Sequence, residues 1–237
     1  MPVIRALLAL GVVDGLPLLG VAVASYLIGS IPWAYIIVRF VTGEDITMHG
    51  TGNVGAMNVR RTTGSWGWFA LDMVADALKG LVPVAAAWII GLLVVHGWAW
   101  RTGGTDAVRL FPQAALLGAV LGHNYSLWLA LLKRRFVQTG KGLATGGGGL
   151  LAYNWQYFLI VLVVGLATIA LTRYMMAGQV AAAISLPVYA IVTQQADWVF
   201  VTLLGGLVYA AHHRRFVGLL HGREPKLYIH DRQGPRG

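Results

Sequence analysis

The sequence contains no cysteine and few charged residues. Its 237 residues include 18 basic and 9 acidic side chains, which together make 11% of the chain. The lack of cysteine excludes disulfide bonds and thiolate metal sites. An ordinary soluble domain has about 25% charged residues, and a soluble globule of this length needs polar side chains to cover its surface. The composition therefore excludes a soluble enzyme, a disordered chain and a disulfide-stabilised scaffold.

Apolar residues make up 57% of the chain, and the mean hydropathy is +0.66. A membrane-spanning helix needs about 20 apolar residues, and the apolar runs predict about seven spans. The predicted spans are residues 16–40, 72–96, 111–132, a short glycine-rich span at 142–154, 155–172, 174–194 and 197–211. The sequence therefore predicts an all-α polytopic membrane protein with one membrane domain, 1–237.

The two ends of the chain are predicted to lie outside these spans. Residues 1–15 are interpreted as a membrane-proximal extension rather than a cleaved signal peptide, because Asp14 interrupts the apolar run and no small-residue cleavage site follows. Residues 212–237 form a polar, basic tail. The net charge of +9 lies in short loops between apolar segments, so it indicates membrane topology rather than a nucleic-acid partner. Basic residues concentrate on one side, which predicts a cytoplasmic C-terminus and an external N-terminus.

Polar residues concentrate in three stretches, 43–64, 122–149 and 212–226, and the predicted topology places all three at the cytoplasmic face. Glycine-rich backbone can approach an anion closely, and an arginine such as Arg61 can donate two hydrogen bonds to phosphate. Lys141, flanked by glycines, opens a short helix whose N-terminus would attract an anion. His212 and His213 follow the last span directly, where a histidine could act as a base or a phosphate ligand.

Each of these features also has a purely structural interpretation. The first stretch would be a flexible loop, the glycines at 146–149 would serve close helix packing, and the histidines would belong to a basic collar on anionic lipid. Asp72, Asp76 and Lys79 share one face of a span, where Asp76 and Lys79 could form an ion pair. The histidines lack a metal-ligand pattern, so no metal is expected. The residues alone leave acyl transfer, phosphoryl transfer and anion transport open.

The polar stretches resemble the acyl-phosphate-dependent glycerol-3-phosphate acyltransferases, the PlsY family. The resemblance covers about 25–226, and its motifs follow the order of the family. They are SYLIGSIPWAY (25–35), HGTGNVGAMNVRRTTG (49–64), DALKG (76–80), LGHNYSLW (121–128), GKGLATG (140–146) and LLHGREPK (219–226).

The resemblance implies a seven-helix enzyme of the bacterial cytoplasmic membrane with an active site at the cytoplasmic face. Such an enzyme transfers an acyl chain from acyl phosphate to the sn-1 hydroxyl of glycerol 3-phosphate, the first step of phospholipid synthesis. The products are lysophosphatidic acid and phosphate. The resemblance implies that the enzyme needs no cofactor, lies in membrane lipid and is active as a monomer. The HxxxxD pattern of thioester-dependent acyltransferases is absent.

The resemblance also implies the site residues. The catalytic residues would be His212, Lys141 and Arg61. The substrate-binding residues would be Thr51, Gly52, Asn53, Gly55, Asn58, Lys79, His123, Gly140, Gly142, Thr145 and Glu224. Arg61 and Lys141 would hold phosphate groups. His212 would orient or deprotonate the acceptor hydroxyl, unless a phosphate of the substrate takes that proton.

The sequence departs from the family pattern mainly in its C-terminal part. Thr51 replaces a serine and Met57 a threonine in the first motif, while Met176 and Gln179 stand where the family has two serines. Arg215 replaces an asparagine, and Gly218 replaces an arginine. These changes leave two alternatives within the family: a homologue that acts on a different phosphorylated acceptor, or an inactive homologue. An anion channel is the alternative outside enzymes, and the one-sided polar cluster argues against it.

Overall fold

The computed structural model describes residues 12–50, 52–97, 105–224 and 226. These residues form α-helices, one short 3-10 helix at Ile46–Met48 and no strand. The helices are α1 (Val12–Gly29), α2 (Trp33–Thr42), α3 (Ala56–Thr63), α4 (Trp66–Gly97), α5 (Thr105–Asn124), α6 (Leu127–Lys133), α7 (Leu143–Tyr153), α8 (Trp155–Thr172), α9 (Met175–Val192) and α10 (Trp198–Leu220). The predicted all-α class is confirmed. Residues 1–11 of the N-terminal extension and residues 225 and 227–237 of the tail lie outside the described residues.

Five helical segments of the described chain are long and apolar enough to cross a membrane. They are Gly15–Thr42, Trp66–Val95, Ala107–Lys133, Trp155–Thr172 and Met175–Val192. They coincide with five of the predicted spans and confirm a multi-pass membrane protein. Helix α7 has only 11 residues and reaches about 16 Å, which is half of the hydrocarbon thickness. Helix α10 continues to Leu220, past the predicted end of its span, and the count of seven spans remains a prediction.

Helix α4 begins at Trp66, whereas the sequence placed the start of this span near residue 72. The hydroxyl of Ser65 accepts hydrogen bonds from the backbone N–H groups of Gly67 (3.2 Å) and Trp68 (3.4 Å). These bonds satisfy donors that the first turn leaves free. The apolar lead-in therefore folds as part of one 32-residue helix.

Pro32 separates α1 from α2, as the sequence predicts for a proline within a span. The break leaves the carbonyl of Ile31 outside the helical ladder, and Lys79 Nζ donates to it at 3.0 Å. The same ammonium lies 2.9 Å from Asp76 Oδ1, and both side chains are almost fully buried. A buried backbone acceptor and a buried charge each need a partner in lipid, and Lys79 satisfies both.

Glycines allow the central helices to contact each other through their backbones. A Cβ on Gly29 of α1 would lie 2.7 Å from Ala119 Cα of α5, and one on Gly148 of α7 would lie 2.7 Å from the carbonyl carbon of Ala77 of α4. Small residues at such crossings favour close packing in membranes. The packing interpretation of the glycine run thus holds for Gly148, whereas a Cβ on Gly147 would approach only Phe158, at 3.9 Å. The crossing fixes α7, whose N-terminus carries the glycine-flanked lysine.

A buried polar network joins helices at the other end of α7. Asp197 accepts hydrogen bonds from the hydroxyls of Tyr153 (2.7 Å) and Tyr157 (2.6 Å), and Gln113 donates to Tyr153 at 2.9 Å. These residues belong to α5, to the end of α7, to the start of α8 and to the residue before α10. Helix α7 is therefore held in place at both ends.

Candidate active site

Asn58 organises the loop that precedes α3. Its side-chain amide donates to the backbone carbonyls of Ile46 (3.2 Å), His49 (2.9 Å) and Asn53 (3.0 Å), and the residue is 2% exposed. A primary amide has only two N–H donors, so these three carbonyls occupy them fully. The sequence predicted Asn58 as a substrate ligand, and the structure places its amide against the loop backbone.

Two glycines give this loop its course. Gly50 and Gly52 have φ of +55° and +68°, in the left-handed region that side chains with a Cβ rarely occupy. A Cβ on Gly50 would collide with Asn58 Oδ1. Thr51, between them, lies outside the described residues. The loop is therefore a specific backbone conformation, which disfavours its interpretation as a flexible connection.

The loop is attached to the second polar stretch through Thr139. The N–H of Val54 donates to the carbonyl of Thr139 at 2.8 Å. Thr139 in turn donates its N–H to the carbonyl of Asn124 (2.8 Å) and its hydroxyl to the carbonyl of His123 (3.2 Å). These bonds bring the first and second predicted stretches together.

The two glycines beside Lys141 are required by close contacts. A Cβ on Gly140 would collide with the ring of His123 and would lie 2.7 Å from its carbonyl oxygen. Gly142 has φ +73° and is the residue before α7, and no side chain caps this helix. The first N–H groups of α7 are therefore available to an anion. Lys141 is held directly at this helix N-terminus.

Residues of all three stretches meet around Lys141. The pKa of Lys141 is lowered from 10.5 to about 8, mainly because the ammonium is partly buried. The nearby positive charges of Arg215 and Arg61 lower this pKa further, whereas the carboxylate of Glu224 acts in the opposite direction. Predicted residues from distant parts of the chain thus form one charged cluster.

His212 is buried beside this cluster, at 1% exposure. Its Nδ1 lies 2.7 Å from the carbonyl oxygen of Val208, and a carbonyl only accepts, so we assign the proton of the neutral ring to Nδ1. Nε2 then carries the lone pair, and it has no partner among the described residues. The arrangement provides a neutral imidazole with a free basic nitrogen. The adjacent His213 is exposed.

Gln138 connects the lysine loop to the helix that carries His212. Its side-chain amide donates to the carbonyls of Gly140 (3.1 Å) and Ala211 (2.9 Å). The sequence analysis did not identify Gln138 or Thr139 as site residues. Their only sequence signal is that they directly precede the glycine-flanked lysine.

Three predicted ligands have other partners or no open surface. Lys79 is engaged by Asp76 and the Ile31 carbonyl. His123 is buried between Asp76, whose Oδ2 lies 3.7 Å from Nδ1, and the backbone of Gly140. Thr145 is fully buried in α7, and its hydroxyl has no partner among the described residues. These three residues lie beneath the lysine loop and support it.

An apolar groove begins at the charged cluster. It lies between α7, α8, α9 and α10 and is open on one side, and Gly142 lies in its wall. Val208, one turn before His212, is also part of the wall, and the groove continues past Gly147 to Leu186 and Leu204. The lack of side chains at Gly146 and Gly147 leaves this space open. A polar head at Lys141 and an apolar tail in the groove would fit one molecule.

We expect Gly140→Ala to lower kcat/KM by about 100-fold, because the added methyl group must displace His123 or the lysine loop, and shifts of about 1 Å have effects of this size. Gly206→Ala is the matched control, since nothing lies within 4 Å of its Cβ position. Steady-state acyl transfer and thermal unfolding of both variants in detergent check the prediction. Equal activities of the two variants would contradict it.

The chain is similar to known proteins over most of its length. Residues 19–222 match the model of the glycerol-3-phosphate acyltransferase family. A glycerol-3-phosphate acyltransferase from Synechococcus sp. (strain JA-3-3Ab) is 36% identical over 208 residues, which cover 87% of this chain and 91% of the relative. One from Clostridioides difficile (strain 630) is 33% identical over 208 residues, which cover 87% and 94%.

Crystal structures of the integral membrane glycerol 3-phosphate acyltransferase PlsY have the same fold. Its glycerol 3-phosphate form superposes with a TM-score of 0.71 at 27% identity and covers 89% of this chain and 96% of that chain. Its lysophosphatidic acid form gives a TM-score of 0.69 at 26% identity, with 89% and 95% covered. The chain therefore belongs to the glycerol-3-phosphate acyltransferase family of integral membrane enzymes.

Proposed function

We propose that the protein transfers a fatty acyl group from acyl phosphate to the sn-1 hydroxyl of glycerol 3-phosphate. The observation that carries this proposal is the position of Lys141 and the N-terminus of α7 beside the free Nε2 of His212, at the opening of an apolar groove. The solved relative with glycerol 3-phosphate and lysophosphatidic acid forms supports this acceptor and product. The proposed location is the cytoplasmic face of a bacterial cytoplasmic membrane.

The charged cluster suits the donor phosphate. Arg61 and Lys141 supply positive charge, and the free N–H groups of α7 add a helix N-terminus. Acyl phosphate is an activated mixed anhydride, so catalysis consists mainly of positioning the reactants and stabilising charge on the departing phosphate. We propose that these residues bind the donor phosphate. We propose that the loop with Thr51, Gly52, Asn53 and Gly55 covers it.

The reaction balances without a cofactor. The acceptor hydroxyl oxygen attacks the carbonyl carbon of acyl phosphate, the new C–O ester bond forms, and the bond from that carbon to the phosphate oxygen breaks. Inorganic phosphate leaves with the electron pair. We propose that Nε2 of His212 takes the hydroxyl proton, because it is a neutral acceptor with no other partner among the described residues.

The groove suits the acyl chain. Its described lining is apolar, and it passes from Gly142 between α7 and α10 towards the membrane interior. We propose that the chain lies along Gly146 and Gly147, with the carbonyl carbon near His212.

The direct test measures phosphate release from palmitoyl phosphate by the purified protein, with and without glycerol 3-phosphate. We expect release that depends on the acceptor and a lysophosphatidic acid product identified by mass spectrometry. Release with a different phosphorylated acceptor alone would overturn the assignment of the acceptor. A folded protein that releases no phosphate but conducts it across proteoliposomes would replace the enzyme with a channel.

A further inference from the structure

We propose that Arg215 binds the phosphate of the acceptor and that Glu224 holds the Arg215 guanidinium in position for it. This inference rests on the proposed function and adds a binding residue at the position where the family pattern has asparagine. Glu224, which the sequence predicted as a substrate ligand, becomes a positioning residue.

The ion pair between Arg215 and Glu224 is bidentate. Arg215 donates from Nε to Glu224 Oε1 at 2.9 Å and from Nη2 to Glu224 Oε2. A guanidinium has five N–H donors in a rigid planar fork, so this contact fixes the plane of the group and leaves donors unused. The Glu224 side chain is 10% exposed, whereas that of Arg215 is 42% exposed. The unused donors therefore have access to a ligand from water.

The position of Arg215 on α10 matches the length of the acceptor. Arg215 lies three residues after His212, on the same side of the helix and about 4.5 Å further along its axis. The acceptor has its reacting hydroxyl at one end of a three-carbon chain and its phosphate at the other. A hydroxyl placed at His212 Nε2 brings the phosphate one helical turn towards the cytoplasmic end, where Arg215 lies.

The charge balance of the cluster also requires Arg215. Glu224 lies close enough to Lys141 to influence it electrostatically, as do Arg61 and Arg215. Without Arg215, the carboxylate of Glu224 would cancel half of the positive charge that Arg61 and Lys141 provide. An uncompensated carboxylate would repel the phosphate dianions that bind here. Because the Arg215 guanidinium neutralises Glu224, the carboxylate can position the guanidinium without repelling the substrate.

Gly218 explains how the pair fits. Its Cβ position is 3.7 Å from Glu224 Oε1, so the carboxylate packs against bare helix backbone at this point. Positions 215 and 218 are neighbours on one helix face, and the family pattern has its arginine at the second position and asparagine at the first. In this chain the arginine stands at the first position, one turn closer to His212, and the second position is Gly218, which leaves room for the carboxylate.

The experiment compares Arg215→Asn with Glu224→Gln and with Arg214→Asn, an exposed arginine on the same helix. We expect Arg215→Asn to raise KM for glycerol 3-phosphate by about 10- to 100-fold, with KM for palmitoyl phosphate changed less than about 2-fold. Glu224→Gln should raise the same KM by about 3- to 10-fold, since the guanidinium keeps its charge and loses its orientation. Arg214→Asn should change neither value.

Thermal unfolding of every variant in detergent separates loss of binding from loss of fold.

The outcomes are distinct. If the pair only pins the tail, either single substitution removes it, so equal losses in Arg215→Asn and Glu224→Gln would overturn the inference. Equal effects on the KM values of both substrates would overturn it too, as would equal effects of Arg214→Asn and Arg215→Asn. A wild-type protein without acyl transfer to glycerol 3-phosphate contradicts the proposed function instead, before any variant is compared.

Discussion

Lys141→Ala is expected to lower kcat/KM for acyl transfer by about 1,000-fold, a loss of about 4 kcal/mol of transition-state stabilisation. The ammonium is fixed between two glycines at the N-terminus of α7. In the proposed reaction it binds the leaving phosphate, which acquires charge in the transition state, so its contribution should grow as the reaction proceeds. Removing a group of this kind lowers kcat as well as kcat/KM. Initial rates over a range of palmitoyl phosphate concentrations check the expectation.

Two further variants determine whether the loss of activity in Lys141→Ala is due to the loss of the Lys141 charge. Arg135→Ala removes an exposed cation from the same connection between α6 and α7, and we expect rates within about 2-fold of the wild type. Lys141→Arg retains a positive charge and should keep part of the activity. A Lys141→Ala enzyme with more than a tenth of wild-type kcat/KM would contradict the assigned role.

The pH profile gives an independent test of the same group. Because the pKa of Lys141 is about 8, the ammonium is protonated below that pH and is lost as pH rises through it. We expect kcat/KM to fall to about half of its neutral value at pH 8 and to fall by about 10-fold per unit above about pH 9. In Lys141→Arg the alkaline decrease should disappear, because a guanidinium remains charged throughout this range.

The sequence predicted the membrane architecture well because the apolar runs have a direct physical cause. Gly15–Thr42 and Met175–Val192 coincide with predicted spans within two residues at each end, since lipid admits only long apolar segments with internally paired backbone. The start of α4 was placed wrongly because the apolar run that begins at Trp66 is longer than one simple span needs, so its first residues were predicted as an interfacial lead-in. The structure buries Asp72 completely and begins the helix at the Ser65 cap.

The sequence was less informative about which polar side chains face a substrate. Asn58 stands in a ligand motif, yet its amide is occupied by backbone carbonyls as far as twelve residues away. The partners of Gln138 and Arg215 are likewise set by how the loops and helix ends pack. Such pairings depend on tertiary structure and cannot be predicted from the local spacing of residues in the sequence. Motif membership alone therefore does not distinguish a ligand from a residue that shapes the loop.

His212→Ala is the second large expected effect, a loss of about 100- to 10,000-fold in kcat, the range of general base catalysis. Nδ1–H donates a hydrogen bond to the Val208 carbonyl, which fixes the ring and leaves Nε2 free to accept a proton. His213→Ala is the matched control, because the adjacent ring is exposed and its removal should change the rate less than about 2-fold. Rates at saturating acceptor separate the loss of proton transfer from a loss of binding.

His212→Asn determines which group takes the proton. The Oδ1 of asparagine can still accept a hydrogen bond from the hydroxyl of the substrate, but asparagine is no base at neutral pH. If Nε2 accepts the hydroxyl proton, His212→Asn should be as slow as His212→Ala. If a phosphate of the bound substrate accepts it, and the histidine only orients the hydroxyl, the asparagine variant should retain most of the wild-type kcat. We expect the first result, because the tautomer fixed by the Val208 carbonyl leaves Nε2 able to accept the proton.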